Sequence, residues 1–170
     1  MHKKYLLSVI LLGFVYIGCV PTSYIYHVEN SEFNIISKPF LKYEYMQKDI
    51  SVIVSCFILG GYINHVHLDI YNTGPNTVYY TVGQYSAKDS LGKNEFNRVY
   101  VNEREKNSNY TCKIRPQKSA KVEFQSMNRY SKGSQNAWLD IYFGKLKLDG
   151  NSIEIDTVRF RELIPYNESK

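Results

Sequence analysis

The sequence predicts an all-β domain, and more specifically a β-sandwich of about seven or eight strands. Short runs of alternating apolar and polar residues recur along the chain, and turn residues separate them at intervals of roughly 8 to 12 residues. The chain has 16 tyrosines but only one tryptophan. The composition favours strands, because Tyr, Val, Ile and Thr suit pleated surfaces. After the N-terminal segment, no stretch has the apolar spacing of a helix.

Individual runs support this architecture. Residues 51–59 are continuously apolar and are followed by Gly60 and Gly61, which is typical of a strand covered on both faces. A buried helical turn is the alternative. Residues 62–71 alternate, so one face should meet the core and the other should meet solvent. Residues 72–76 then end this strand with turn chemistry. Further alternating runs are predicted over residues 78–82, 96–101, 110–115 and 120–125.

The last hairpin permits a register prediction. The dipeptide Asp149-Gly150 is typical of a two-residue type I′ loop, because both residues of that loop need a positive φ. Paired residues then have numbers that sum to about 299 on this loop assignment. The predicted pairs include Leu146 with Ile153, Ile141 with Val158, Leu139 with Phe160, Asp140 with Arg159 and Trp138 with Arg161.

Two structural features follow from this register. Asp140 and Arg159 should form an ion pair, and Trp138 and Arg161 should form a cation–π contact. The apolar alternation changes phase near Gly144 on one strand and near residues 156–157 on the other. Because both changes lie at nearly the same level, we expect the hairpin to bend there or to be covered on both faces.

The first 20 residues carry the features of an export signal. His2, Lys3 and Lys4 form a basic head, and residues 5–17 form an almost unbroken apolar run. This run is shorter than the roughly 20 apolar residues of a transmembrane helix. A basic head, a short apolar core and small residues after it are typical of a cleavable secretory signal. An uncleaved N-terminal anchor is the alternative.

The end of this segment resembles the lipobox of bacterial lipoproteins. In Tyr16-Ile17-Gly18-Cys19 a small residue precedes a cysteine, although Tyr16 stands where Leu is usual. The resemblance implies cleavage after Gly18, a diacylglycerol on the Cys19 sulfur and a further acyl chain on the new amino group. Two or more acyl chains anchor a protein stably, whereas one chain binds a membrane only marginally. An ordinary signal peptide with an incidental cysteine is the alternative.

The lipobox resemblance also implies a location. The chain would be exported and lipid-anchored in the cell envelope. In sorting of the enteric type, a residue other than Asp after the cysteine, here Val20, favours the outer membrane. The predicted parts are a signal peptide at 1–18, a lipidated cysteine with a short tether at 19–32, and a β-sandwich domain at 33–170. A first edge strand is the alternative to a tether over residues 21–31.

The length and net charge of the chain limit the number of domains and the kinds of partner that are expected. Removal of 18 residues from 170 leaves about 152, which is enough for one domain with its own core. The net charge of the whole chain is +5, and the signal contains Lys3 and Lys4 without an acidic residue. The exported chain is therefore only weakly basic. Without a clustered stripe of Lys and Arg, this charge argues against a nucleic-acid partner.

The order of the predicted strands resembles small immunoglobulin-like domains of bacterial envelope lipoproteins. The resemblance rests on an Asn-Thr-Gly turn at residues 72–74 and a Pro-Gln-Lys-Ser turn at residues 116–119. The Cys-Trp-Cys signature of immunoglobulin domains is not present. The resemblance implies an immunoglobulin-like β-sandwich. A small lipocalin-like β-barrel is the alternative, because the strand numbers of the two architectures overlap.

Cys56 and Cys112 are the remaining cysteines once Cys19 is assigned to lipid. In an oxidising compartment two such cysteines can form a disulfide that persists. They can equally remain buried thiols that pack as small apolar groups. The sequence leaves both alternatives open, because it does not show the separation of the two Cα atoms.

His65, His67 and Asp69 are the candidate metal ligands. Residues at positions i, i+2 and i+4 of a strand project to one face, and two imidazoles with a carboxylate suit a zinc-like ion. The simpler interpretation is the polar side of an amphipathic strand. We favour that interpretation, because a metal site also needs a fourth ligand and supporting hydrogen bonds.

The motif content favours a non-enzymatic function without a cofactor. The chain lacks a nucleophile elbow, a phosphate-binding glycine loop, an HExxH segment and a Cys-x-x-Cys pair. We therefore expect a membrane-anchored sandwich that presents loops or an edge strand to an envelope protein, or that has a structural role. The alternative is a lipoprotein that binds a glycan or small ligand through a Tyr-rich surface or a cavity.

Overall fold

Strands make up nearly all of the regular structure in the computed structural model, which describes residues 24–29, 32–37, 41–59, 63–89, 96–126 and 138–162. A single turn of 3-10 helix, Val82–Gln84, follows the sixth strand within these ranges. Within the described ranges, no helix is long and apolar enough to span a membrane. The signal peptide and Cys19 lie outside the described residues.

The strands are short, and several follow one another almost without interruption. In chain order they are β1 (Tyr24–Val28), β2 (Asn34–Ser37), β3 (Lys42–Gln47), β4 (Ile50–Leu59), β5 (Ile63–Asn72), β6 (Val78–Thr81), β7 (Ser86–Asp89), β8 (Arg98–Val101), β9 (Arg104–Glu105), β10 (Thr111–Ile114), β11 (Lys118–Ser126), β12 (Trp138–Tyr142), β13 (Gly144–Leu148), β14 (Asn151–Ile155) and β15 (Val158–Glu162).

These strands form two antiparallel sheets. The large sheet has the order β7-β12-β15-β1-β4-β5-β11-β8-β9, with β2 and β3 attached beside β4. The small sheet has the order β10-β6-β13-β14. The described strands do not close into a barrel, so the all-β sandwich is confirmed and the lipocalin-like alternative is wrong. More strands are present than predicted, because turns and bends divide several of the apolar runs.

The centre of the large sheet is the ladder of β4, β5 and β11. Its strands pair in one continuous register, in which Val54 lies opposite Leu68 and Leu68 lies opposite Val122. Side chains on one face of this ladder enter the core, and Val54 and Leu68 are both 0% exposed. The polar residues between them therefore lie on the other face, as the alternation of residues 62–71 predicts.

The core is filled from both sheets. The ring of Phe124 on β11 packs against Phe143, with ring centroids 5.8 Å apart, and against Tyr85 at 4.9 Å. On the small sheet, Tyr80 is fully buried and its hydroxyl donates a hydrogen bond of 2.8 Å to the Phe143 carbonyl. The two sheets thus share one aromatic core.

A buried amide also joins the two sheets. Asn72 ends β5 and its side chain is buried. Its Nδ2 donates to the carbonyl of Ile114 on β10 at 3.0 Å and to the carbonyl of Asn76 at 2.6 Å, and its Oδ1 accepts from the Gly74 backbone at 3.1 Å. The bonds to the Ile114 carbonyl and from the Gly74 N–H satisfy backbone groups that burial would otherwise leave unpaired.

The predicted register of the last hairpin is confirmed. Leu146 pairs with Ile153 on the outer part of the hairpin, and the inner part has the four other predicted pairs. Asp149 and Gly150 have φ values of 51° and 76°, as a type I′ turn requires.

The phase change near Gly144 marks a crossing between sheets. The strands β12 and β15 belong to the large sheet, whereas β13 and β14 belong to the small sheet. Gly144 has a φ of 95°, and a Cβ atom there would lie 2.7 Å from the Cβ of Gln84. One hairpin therefore contributes to both layers, and a glycine permits the bend.

The side-chain contacts on this hairpin differ from the prediction in one respect. Arg159 forms the predicted ion pair with Asp140, with both nitrogen–oxygen distances 2.6 Å. The cation over the Trp138 ring, however, is also Arg159, at 5.1 Å from the ring centroid. Arg161 instead forms an ion pair with Glu29, next to β1. The prediction failed because the sequence does not show that β1 lies beside β15.

The predicted tether also contains a strand of the domain. Residues 24–28 lie within the 19–32 segment, but they form β1, which pairs with β15 on one edge and with β4 on the other. The second half of β4 pairs with β1, and its first half pairs with β3. Part of the segment predicted as a tether is therefore paired within the large sheet.

We predict that Tyr80→Phe changes both the stability and its dependence on alkaline pH. Loss of the hydroxyl leaves the buried Phe143 carbonyl without its donor, which should cost about 1 to 3 kcal/mol at pH 7. Burial raises the pKa of Tyr80 above its usual value. The neutral Tyr80 side chain therefore makes its full contribution to the free energy of unfolding below about pH 10. This contribution is lost as the pH rises further.

Urea unfolding at several pH values measures both effects. Tyr80→Phe should lose less stability than the wild type between about pH 10 and pH 11.5. Burial also raises the pKa of Tyr43 and of Tyr85. Tyr80→Phe should therefore still lose some stability at alkaline pH, although less than the wild type. Tyr71→Phe, at an exposed position, is the control. An identical alkaline loss in wild type and Tyr80→Phe would contradict the prediction.

Candidate functional site

A cluster of two histidines and one glutamate lies on the outer face of the large sheet. His65 and His67 belong to β5, and Glu123 belongs to β11. The register places His67 opposite Glu123 and His65 opposite Gln125. The cluster therefore follows from the same alternation that directs the neighbouring residues of these strands into the core.

One carboxylate oxygen is the centre of this cluster. The Oε1 atom of Glu123 lies 2.6 Å from Nδ1 of His65 and 3.8 Å from Nε2 of His67. Gln125 donates a further hydrogen bond of 2.7 Å to the same oxygen. One ligand atom from each of His65, His67 and Glu123 lies within 4.8 Å of the other two.

The predicted set of His65, His67 and Asp69 is only partly brought together. Asp69 shares the outer face of β5, but the compact group contains Glu123 in its place. Residues two apart along a strand are about 6.6 Å apart, whereas directly opposite residues on paired strands are about 5 Å apart. The alternation of residues 120–125 places Glu123 on the polar side, but only the pairing of β5 with β11 places it beside His67.

An aromatic side chain covers part of the cluster. Phe57 lies opposite His65 on β4, and the two rings stack with centroids 5.2 Å apart and planes 4° apart. The Phe57 ring also contacts the ring of His67, at 5.1 Å. The side chains of His65, Glu123 and His67 retain 13%, 29% and 36% exposure. The cluster is therefore only partly accessible to solvent.

The Nε2 atom of His67 is buried and makes no hydrogen bond within the described part of the chain. It lies 3.8 Å from Glu123 Oε1, which is too far for a hydrogen bond. A buried nitrogen without a partner is uncommon in folded proteins and calls for an explanation. Among the described residues of the cluster, this atom is the buried side-chain atom that lacks a hydrogen-bond partner.

The electrostatics favour a neutral imidazole at His67 and a charged carboxylate at Glu123. Burial lowers the pKa of His67 and outweighs the opposite effect of Glu123 and Asp69. Burial alone would raise the pKa of Glu123, but hydrogen bonds from Gln125 and His65 and the charges of both histidines together lower it. A neutral imidazole nitrogen and a carboxylate are the forms that bind metal ions.

The two cysteines of the domain are buried free thiols. Cys56 lies on β4 of the large sheet and Cys112 lies on β10 of the small sheet. The disulfide considered for this pair is therefore absent, and the second alternative describes the structure. Burial raises the pKa of both thiols, so they remain protonated and pack as small apolar groups. Cys19 lies outside the described residues.

The two most exposed tyrosines of the described residues lie on different sheets. Tyr43 and Tyr80 are buried in the core. Tyr71 and Tyr79 are 36% and 40% exposed, but Tyr71 lies on the large sheet and Tyr79 lies on the small sheet. The ammonium group of Lys113 lies 6.0 Å from the Tyr79 ring centroid.

Comparison of the whole chain with known proteins finds no matching family model and no significant match among curated proteins. The chemistry of the cluster is therefore deduced from its own residues and their geometry. Two imidazole nitrogens and a carboxylate oxygen can exchange a proton, or they can bind a cation together.

We predict that a double-mutant cycle couples His65 to Glu123. Loss of their partly buried hydrogen bond should give a coupling free energy of about 1 kcal/mol at pH 7 in metal-free buffer. His65→Ala, Glu123→Ala and the double variant are compared by urea unfolding. The cycle of Asp69→Ala with Glu123→Ala is the control and should couple by less than about 0.5 kcal/mol. Equal coupling in the two cycles would contradict the geometry described here.

Proposed function

We propose that the chain is a non-enzymatic, lipid-anchored protein of the bacterial cell envelope that presents its β-sandwich to another envelope component. A lipid on Cys19 would attach it to the membrane, and the residue after this cysteine, Val20, favours the outer membrane. The observation that carries the proposal is the arrangement of the large sheet. The chain enters this sheet at one end, and a hydrogen-bonded group of turns lies at the opposite end.

The place where the chain enters the large sheet supports close attachment to a membrane. Tyr24 is the first residue of β1 and lies opposite Ile58, near the end of β4. Five residue steps separate Cys19 from Tyr24, and they can span at most about 18 Å. A lipid on Cys19 would hold this end of the sheet near the membrane surface, so the opposite end would face away from it.

Four turns make up the opposite end, which we call the distal turn cluster. They are residues 48–49, 72–76, 115–117 and 149–150. The Thr73 backbone N–H donates to the Asp49 carbonyl at 2.9 Å, and the Gln117 amide donates to the Thr73 carbonyl at 2.6 Å. Asn76 donates to the carboxylate of Asp149. These bonds join turns from both sheets.

A hydrogen-bonded group of turns at one end of a sandwich suits recognition of a protein. Loops at the ends of sandwiches are a common binding surface, and turns that are already ordered lose less conformational entropy on binding. Gly74 contributes to this order, because a Cβ atom there would lie 2.6 Å from the Cβ of Asp49. A ligand-binding role is less well supported, because the exposed tyrosines lie on different sheets.

We predict that intact mass spectrometry of membrane-extracted protein shows loss of residues 1–18 and an added mass of two or more acyl chains on Cys19. The lipobox resemblance implies that Cys19 is acylated. Two or more acyl chains are expected because one chain alone anchors a protein weakly. Cys19→Ala should lack the added mass and leave the outer-membrane fraction, whereas Cys112→Ala should behave as the wild type. Membrane flotation measures the distribution. An unmodified wild-type chain in the soluble fraction would contradict the anchor.

We also predict that a protein partner contacts the distal turn cluster. A photo-crosslinking residue at exposed Pro75 should give one reproducible adduct in intact cells, because this turn would point away from the membrane. The same residue at exposed Lys145 on the small sheet is the control. The adduct should be lost with Cys19→Ala, which separates the domain from its compartment. Equal adducts at both positions, or none at Pro75, would contradict this role for the turns.

A further inference from the structure

We propose that His65, His67 and Glu123 form a binding site for a divalent cation of the zinc class. This site is separate from the anchor and the distal turn cluster, and it goes beyond the proposed function. The inference rests on the ligand types, on their spacing and on the buried Nε2 atom of His67.

The ligand types select the class of cation. Two imidazole nitrogens and one carboxylate oxygen are a ligand set of zinc sites with three protein ligands, which leave one position for water or another molecule. Imidazole also binds Cu²⁺ and Ni²⁺. Ca²⁺ and Mg²⁺ prefer oxygen ligands in larger number, so the cluster should discriminate against them.

The spacing requires only small side-chain movements. Zinc lies about 2.0 to 2.2 Å from nitrogen and oxygen ligands, so two ligand atoms of a tetrahedral site are about 3.3 Å apart. The 2.6 Å contact of His65 with Glu123 would open by about 0.7 Å on this geometry. The 3.8 Å separation of His67 from Glu123 would close by about 0.5 Å. The ligand atoms of the third pair, His65 and His67, lie within 4.8 Å of each other, so they would close by at most about 1.5 Å. Rotation of the three side chains supplies such changes.

The surroundings already orient two of the three ligands. Gln125 holds the Glu123 carboxylate through a hydrogen bond of 2.7 Å, and Phe57 stacks on the His65 ring. Outer hydrogen bonds of this kind orient metal ligands and raise affinity. A bound cation would also explain why Nε2 of His67 is buried without a hydrogen-bond partner among the described residues, because its lone pair would then have a ligand role.

The charges around the cluster set a limit on affinity. Glu123 and Asp69 are acidic groups that act on His67, whereas Lys42 from β3 is a basic group that acts on the same imidazole. Lys121 on β11 lies opposite Asp69. The carboxylates attract a cation and the two lysines oppose it, so Lys42→Ala should tighten binding, by about 2-fold to 5-fold for one partly screened charge.

The test measures binding of Zn²⁺ to the exported chain, extracted in detergent and stripped with a chelator. Competition with a chromophoric chelator should show one equivalent of Zn²⁺, and excess Ca²⁺ or Mg²⁺ should not displace it. Co²⁺ in place of Zn²⁺ should give the intense visible bands of a tetrahedral site, which report the ligands directly. Thermal unfolding of every variant verifies that the sandwich is intact.

Matched variants identify the ligands. Glu123→Gln and His67→Ala should each weaken binding at least about 10-fold and abolish the tetrahedral Co²⁺ bands. Asp69→Asn is the control, since Asp69 shares the outer face of β5 but lies outside the compact group. It should change affinity less than about 3-fold, since Asp69 supplies no ligand.

Three results would overturn the site: no stoichiometric Zn²⁺ on the wild type, unchanged binding by His67→Ala, or a loss confined to Asp69→Asn. Because the measurement uses purified chain, it does not depend on whether Cys19 carries a lipid. A soluble, unacylated chain that binds one Zn²⁺ would contradict the anchor and support the metal site. An acylated chain that binds no Zn²⁺ would support the anchor and contradict the metal site.

Discussion

The register of β4, β5 and β11 is the constraint on which the rest of the structure depends. In this ladder every second side chain enters the core, and the residues between them form the outer face. A shift of one residue would move the whole apolar set to solvent, and such a shift is excluded while Val54, Val66 and Leu68 remain fully buried. The same constraint brings His67 opposite Glu123, so burial of the core also assembles the polar cluster.

The last hairpin connects this ladder to the second layer. Its inner strands extend the large sheet through β15 and β1, and its outer strands lie in the small sheet. The crossing occurs at Phe143 and Gly144, where the buried ring meets Phe124 and the glycine adopts a positive φ. Asn72 forms a second connection, from β5 to the Ile114 carbonyl of β10. The two layers are thus joined by covalent chain, by aromatic packing and by a buried amide.

This architecture separates three regions of the molecule. The chain enters the large sheet at Tyr24, which lies opposite Ile58. The distal turn cluster lies at the other end, where Ile50 pairs with Asn72. The His65 cluster lies on the outer face, at register positions near Ile58 and therefore closer to the entry end. An anchor, a protein-binding surface and a cation site could operate independently in this arrangement, because they share the ladder but no side chain.

The sequence by itself determined the central strand-forming segments, the sandwich class and the complete register of the last hairpin, because alternation and the Asp149-Gly150 turn act between residues close in the chain. Its lipobox-like segment, which contains Cys19, remains the basis of the proposed anchor. The tertiary structure alone decided which distant strands are neighbours. It placed Glu123 rather than Asp69 with the two histidines, and Arg159 rather than Arg161 over Trp138. It also put Cys56 and Cys112 on different sheets as separate thiols. Those contacts depend on pairings between segments far apart in the chain, and alternation specifies the face of a side chain but not its cross-strand neighbour.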